Sequence, residues 1–288
     1  MERPAETDTS RISITAYQTG YTWVKNGLSH AAFATIRGRA MYESLRPMMW
    51  VSRNLLGISD LETRLLQRHL IIDHLLSEAV EKHGVRQVLE LGCGFSPRGF
   101  RFMERHEGRG FTYVEADLPA MARRKREILR DAGLLGPGHE VVTANILIEK
   151  GAESLRDLIG KRFDPACPIA VITEGVVSYF DAPTMRDFWA RLARLMAPFP
   201  AGFYFTDNLS ADIPPRAAPY LRLWQTLVGL VARGKLHAHF ASDEAALETF
   251  RRAGFGSVAV HRPRDFAGRI SMPSADSVGF LNVIEART

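Results

Sequence analysis

Two clusters of residues have types and spacing suited to holding a nucleotide-like molecule. The first is Val88-Leu89-Glu90-Leu91-Gly92-Cys93-Gly94, an apolar run that ends in an acidic residue and two glycines spaced by one. Glycines at such a break let the backbone turn sharply and come close to a ligand, which a Cβ would block. The second lies downstream, where Phe111-Thr112-Tyr113-Val114 runs into Glu115-Ala116-Asp117-Leu118-Pro119. In a doubly wound sheet, a carboxylate at the tip of the second strand accepts hydrogen bonds from ribose hydroxyls. Glu115 and Asp117 share a parity, so both can lie on one face of an extended chain. Asp117 is the ribose candidate because it stands at the strand-to-helix junction just before Pro119, a place where its alternative role is to cap the helix.

The chemistry depends on which cofactor the turn receives. A dinucleotide fingerprint needs a third glycine where this chain has Pro97, and the next glycine is Gly99. Glu90, just before the glycines, suits a cofactor with a cationic amino-acid end and no pyrophosphate, which is the chemistry of S-adenosyl-L-methionine. A nicotinamide reductase shares the fold class, but Pro97 and Glu90 count against it.

The elements around these clusters alternate. Between residues 61 and 82 the apolar positions Leu65, Leu66, Ile72, Leu75, Leu76 and Val80 recur at helical spacing, which predicts a long amphipathic helix packed on a sheet. Short apolar segments at 88–91, 112–115, 140–143, 169–174 and 202–206 are separated by helical stretches. That alternation predicts parallel strands with helical crossovers. Asp181 with Pro183, and Ser242 with Asp243 and Glu244, read as helix starts, and Gly254 as a stop. Residues 1 to about 60 show no strand pattern and read as a helical cover. Ile213-Pro214-Pro215-Arg216 reads as a hinge before a second inserted helix at 217–233.

Taken together, the chain resembles the class I S-adenosylmethionine-dependent methyltransferases, and within them the leucine carboxyl methyltransferase family, including its bacterial natural-product O-methyltransferases. Glu90-Leu91-Gly92-Cys93-Gly94-Phe95-Ser96-Pro97-Arg98 is similar to the first motif, and Val114 to Pro119 followed by Lys125 to the second. Thr173-Glu174-Gly175-Val176-Val177-Ser178-Tyr179-Phe180 is similar to the family's Glu-Gly-x-x-x-Tyr segment, the most discriminating of the three. Ile12-Ser13-Ile14-Thr15-Ala16-Tyr17 is similar to its entry to a helical lid. The likeness spans most of the chain and is poor at its beginning and at 210–240.

The resemblance implies an α/β fold: a Rossmann-like seven-stranded methyltransferase sheet with helices on both faces, a reversed last strand from the runs at 258–260 and 278–284, and a helical lid. It divides the chain into an N-terminal cover, 1–85, and a cofactor-binding core, 86–288, with an inserted helical segment near 210–240. It implies that Gly92 approaches the cofactor, that Asp117 binds its ribose, and that Glu174 lies at its amino-acid end; Glu90 and Gly94 are cofactor-site candidates on the residues' own chemistry. Arg68 is placed on the cofactor carboxylate, which a guanidinium meets in bidentate fashion. Where the family shows Asp-Leu beside adenine, this chain has Asn145-Ile146, and an Asn carbonyl can still accept from the exocyclic amine.

Composition excludes several classes. With 46% hydrophobic and 24% charged residues over 288 positions, the chain reads as an ordinary globule, long enough for one large domain or a domain with a lid. No run reaches the roughly 18 apolar residues of a membrane span, and the first residues lack a signal pattern, so a cytoplasmic location is expected. Cys93 and Cys167 are not in metal-ligand spacing, and no metal site is expected. The net charge of +5 and the run Arg123-Arg124-Lys125-Arg126 raise nucleic-acid binding, but Met121, Ile128 and Leu129 mark that helix as core-facing, with the basic residues a solvated face.

The expected partner is a small-molecule methyl acceptor, with S-adenosyl-L-homocysteine as product. A carboxylate acceptor would need only positioning, whereas a hydroxyl would gain from a base. His237 and His239 are candidate bases, and Tyr17, Tyr21 and Trp23 candidate walls or donors in the cover. Tyr179 could line the cofactor pocket. A protein C-terminal carboxyl methyltransferase and a non-catalytic S-adenosylmethionine-binding protein are the alternatives.

Overall fold

In a computed structural model, residues 13–209, 226, 236–274 and 281–288 are described. The apolar segments form strands β1 (Gln87–Leu91), β2 (Thr112–Asp117), β3 (His139–Thr143), β4 (Ile169–Thr173), β5 (Gly202–Leu209), β6 (Ser257–His261) and β7 (Leu281–Arg287). They make one seven-stranded sheet in the order β3-β2-β1-β4-β5-β7-β6. β1 to β5 pair in parallel, and β7 lies antiparallel to both β5 and β6. The order reverses at β1 and β4, so a crevice opens at the C-terminal ends of those strands.

Eight helices surround the sheet: α1 (Ser13–Lys25), α2 (Ile36–Asn54), α3 (Leu61–His83), α4 (Arg98–Arg105), α5 (Pro119–Asp131), α6 (Leu155–Arg162), α7 (Ala182–Met196) and α8 (Asp243–Ala253), counted among the described residues. Alternate strand residues feed opposite cores, as the strand period requires. Val88, Ala170, Ile172 and Phe203 pack with Ile72, Leu75 and Leu76 of α3. Leu89, Leu91, Val171 and Tyr204 pack with Leu158 of α6, Phe188, Trp189 and Leu192 of α7, and Phe250 of α8. Local signals set the helix ends. Asp60, Asp181 and Ser242 accept the backbone N–H groups of Thr63, Thr184 and Ala245, and Gly84 and Gly254 close α3 and α8 in the left-handed region.

The cover is fastened rather than loose. Glu62 of α3 accepts from Tyr42 Oη of α2 at 2.6 Å, from Asn26 Nδ2 at 2.7 Å and from Lys25 Nζ of α1 at 3.1 Å. Trp23, Tyr42, Leu61 and Leu65 fill the space between these helices. Residues 1–12, the hinge at 213–216 and all of the inserted helix expected at 217–233 except Thr226 lie outside the described residues.

Two expectations change. The basic run on α5 is not wholly a solvated face: Arg123 and Arg124 are exposed, but Lys125 is fully buried. Position 125 falls on the same stripe as Met121 and Leu129, and its Nζ donates to Glu115 Oε1 at 2.7 Å, so an ion pair replaces the expected contact with water. The strand expected through Glu174 ends at Thr173, which places Glu174 in the loop above the sheet. Among the described residues, no helix is long and apolar enough to cross a membrane, and no cluster of metal-ligand side chains occurs.

Candidate active site

The glycine turn after β1 is crowded from two sides. Gly92 has φ +63° and Gly94 φ +46°, values that side chains disfavour. A Cβ on Gly92 would overlap Val176 Cγ2 in the loop after β4, and one on Gly94 would lie 3.0 Å from Ala16 Cβ on α1. Asp117, at the tip of β2, fixes this turn. Its Oδ2 accepts from Gly94 N at 2.8 Å and its Oδ1 from Leu118 N at 2.7 Å. Burial pushes the Asp117 carboxyl up, and the two backbone N–H groups draw it down. Each oxygen keeps a further lone pair, and Asp117 borders the cavity, so the carboxylate has the acceptors that a ribose diol requires.

Glu115 has a different task. It is fully buried, accepts from Lys125 at 2.7 Å, and lies 3.2 Å from His139 Nε2. Gly99 makes room for it, since a Cβ there would sit 2.6 Å from Glu115 Oε1. Lys125 Nζ also donates to the Cys93 carbonyl at 3.4 Å, tying α5 to the glycine turn.

Beyond the turn, a buried ion network surrounds Glu174. Arg68 on α3 donates through Nε to Glu174 Oε1 at 3.0 Å and through Nη1 to Asp207 Oδ2 at 2.9 Å. Asp207 of β5 also accepts from Gly175 N at 2.6 Å. Arg98 at the start of α4 donates to Glu174 Oε2 at 2.6 Å, to Asp73 Oδ1 at 2.6 Å and to Glu90 Oε1 at 2.7 Å. Burial alone would raise the Glu174 carboxyl, but His69, Arg98 and Arg68 hold it well below the usual carboxylate range. Arg68 and Glu174 both border the cavity, one with a donor and one with an acceptor for a zwitterionic amino-acid group.

The sequence-derived candidates separate accordingly. Arg68, Glu90, Gly92, Gly94, Asp117, Asn145, Ile146 and Glu174 line one cavity of about 620 Å³. Glu90 also holds Arg98 in place: its Oε1 accepts from Arg98 at 2.7 Å and its Oε2 from Tyr113 Oη at 2.6 Å, which leaves one further lone pair on each oxygen. Asn145 Oδ1 accepts from Leu147 N at 2.9 Å, which uses one lone pair of the carbonyl proposed for adenine. Of the cover aromatics, Trp23 lines the cavity; Tyr17 instead packs edge-on against Phe95, and Tyr21 against Tyr42. Tyr179 also lines it, with its hydroxyl 2.9 Å from Thr15 Oγ1.

His237 and His239 are not on the cavity wall, where the segment instead presents Leu236. His239 Nε2 is 2.9 Å from the Val177 carbonyl, its ring meets Trp189, and burial lowers its pKa. Sequence reasoning gave no role to His69, Asp73, Arg98 or Asp207. Arg98 stood inside a quoted motif, while the others lie 17 residues or more from that motif in the chain and carried no signal of their own.

The seven-stranded sheet with its reversed seventh strand has the fold of the class I S-adenosyl-L-methionine-dependent methyltransferases. The chain belongs to the leucine carboxyl methyltransferase family, whose sequence profile matches residues 30–193. It is 32% identical over 123 residues to a provisionally named S-adenosyl-L-methionine-dependent methyltransferase of Mycolicibacterium gilvum, covering 43% of this chain and 38% of that one. It is 35% identical over 128 residues to a second, from Parafrankia sp., covering 44% and 38%. The matched part is therefore well under two thirds of these relatives' length. Among solved structures, a DUF574 family protein from Streptomyces avermitilis has a TM-score of 0.62 at 14% identity, over 95% of this chain and 97% of that one. A provisionally named methyltransferase from Thermobifida fusca has a TM-score of 0.58 at 14% identity, over 97% and 94%. Such likeness shows the fold. S-adenosyl-L-methionine is the cofactor of this class, and the glycine turn without a Cβ, the lone pairs on Asp117 and the Arg68–Glu174 pair fit its parts.

Proposed function

We propose that the chain is an S-adenosyl-L-methionine-dependent O-methyltransferase acting on a carboxyl or hydroxyl group of a small molecule. In this reading Gly92 and Gly94 admit the cofactor, Asp117 holds the ribose and Asn145 and Ile146 flank the adenine. Arg68 and Glu174 take the carboxylate and the ammonium. The observation that carries the proposal is the mixed lining of the cavity: those polar groups share it with the apolar side chains of Trp23, Met41, Leu45, Leu61 and Leu65. Its size suits a bound ligand pair, since ligand pockets span about 300 to 1,000 Å³.

When bound, the cofactor supplies a methyl group on a positively charged sulfur. The chain's part is to align an acceptor oxygen with that methyl and to exclude water. The apolar walls from α1, α2 and α3 exclude water, and the ties at Glu62 hold them in place. Thr15 and Tyr179, whose hydroxyls lie 2.9 Å apart, also line the cavity. A carboxylate acceptor would need no base, in keeping with a cavity on which, among the described residues, no histidine stands.

The test is incubation with methyl-labelled S-adenosyl-L-methionine and panels of apolar carboxylic acids and phenols, followed by mass spectrometry. Treatment of the product with alkali separates a methyl ester, which is cleaved, from an ether, which survives. A labelled product of either kind is expected. Tight cofactor binding with no product from either panel would count against the enzyme reading.

A further inference from the structure

Glu174 is held from several sides, and one of its contacts is neither a family motif residue nor an arginine. His69 on α3 is wholly buried, and its ring stacks on Trp23 with centroids 4.4 Å apart. Its Nδ1 lies 2.9 Å from Glu174 Oε2 and 2.9 Å from Arg98 Nη2. A carboxylate only accepts and a guanidinium only donates, so Nδ1 can serve one of them at a time. Arg98 Nη2 already donates to Glu174 Oε2 at 2.6 Å. A bare Nδ1 would then set its lone pair against that carboxylate oxygen, whereas an Nδ1–H adds a donor to it.

The other ring nitrogen stands at ion-pair range of a carboxylate but beyond hydrogen-bond reach. Nε2 is 3.8 Å from Asp73 Oδ2 and has no hydrogen-bond partner among the described residues. With Arg98 and His69 on Oε2 and Arg68 Nε on Oε1 at 3.0 Å, three of the roughly four acceptor positions of the carboxylate are filled. The position left belongs to Oε1, on a side chain that borders the cavity.

We propose that His69 is a positioning residue: its Nδ1–H fixes the rotation of the Glu174 carboxylate so that Oε1 is presented to the ammonium group of the cofactor. This rests on the assignment of Glu174 to the cofactor's amino-acid end. The consequence is selective, because only the part of the cofactor that reaches Glu174 depends on His69.

The test compares S-adenosyl-L-homocysteine with 5′-methylthioadenosine, which keeps the nucleoside and thioether but lacks the amino acid, by calorimetric titration of the full chain. His69→Leu is expected to weaken the first about tenfold and to change the second by less than about twofold. His69→Asn, whose amide can place an N–H near the Nδ1 position, is expected to restore most of the loss. Equal weakening of both ligands by His69→Leu, or an unchanged ratio between them, would overturn the proposal. A wild-type protein that binds both ligands alike would overturn the Glu174 assignment itself and the proposal with it. Should His69→Leu not fold, ¹⁵N-histidine spectra of the wild-type protein decide the matter: a protonated Nδ1 on His69 is expected, and a bare one contradicts it.

Discussion

Replacing Arg98 with methionine should cost the protein several kcal/mol, and the cost should depend on pH. The substitution keeps much of the side-chain volume and removes the charge that meets Asp73, Glu90 and Glu174 at 2.6, 2.7 and 2.6 Å. Removing one partner of a buried pair costs about 3 to 5 kcal/mol, because the remaining charge is left uncompensated. The figure is not tripled, since Asp73 keeps Arg101 at 2.8 Å and Glu174 keeps Arg68 at 3.0 Å. Burial would raise both the Asp73 and Glu174 carboxyls, but neighbouring cations hold the first below and the second well below the usual values. A carboxylate whose pKa falls on folding contributes stability that is present above its unfolded value and is lost as pH drops through its folded value. The variant forfeits part of that contribution, and its buried carboxylates can relieve their isolation by taking up protons as the pH falls. The loss should therefore be about 3 to 5 kcal/mol near pH 8 and smaller near pH 5. Urea unfolding followed by circular dichroism at both pH values measures it. A loss below about 1 kcal/mol near pH 8, or one that grows toward pH 5, would show that Arg98 does not hold these carboxylates by buried charge pairing.

Gly92→Ala meets both a left-handed φ of +63° and overlap with Val176, so thermal unfolding should show a loss of about 2 to 4 kcal/mol. Adding Val176→Ala should recover only the overlap share; a single variant as stable as wild type would deny the crowding. Lys125→Met leaves Glu115 buried with only His139 at 3.2 Å and should cost about 3 to 5 kcal/mol, much of it recovered by adding Glu115→Gln. Strictly additive losses in the double variant would speak against a paired charge. Replacing His237 and His239 together with alanine should leave methyl transfer within about twofold of wild type, because neither lines the cavity; a fall of about a hundredfold or more would restore them as bases.

Local chemistry made most of the fold legible. Helix α3 was readable from its apolar spacing and α7 and α8 from Asp181 and Ser242, because caps and periodicity act within a turn or two of chain. Asp117 was singled out over Glu115 by its place at the end of a strand, and the structure gives the two acids separate surroundings. What the sequence hid was long-range. Glu90 gives no sign in the sequence of its contacts with Arg98 and Tyr113, and Lys125 reads as a surface charge until Glu115 is seen beneath it. His69 and Asp207 come from α3 and β5, 138 residues apart, and only the crossover connections bring both to Glu174.

On the function proposed above, this cavity takes S-adenosyl-L-methionine through Asp117. Calorimetric titration of the wild-type chain and Asp117→Ala with S-adenosyl-L-methionine, S-adenosyl-L-homocysteine and NADH decides it. The first two ligands should bind the wild type and NADH should not. Loss of the buried carboxylate should weaken both about tenfold to a hundredfold, the range of a hydrogen bond to a charged group. Binding of NADH alone, or affinities unchanged by Asp117→Ala, would contradict it.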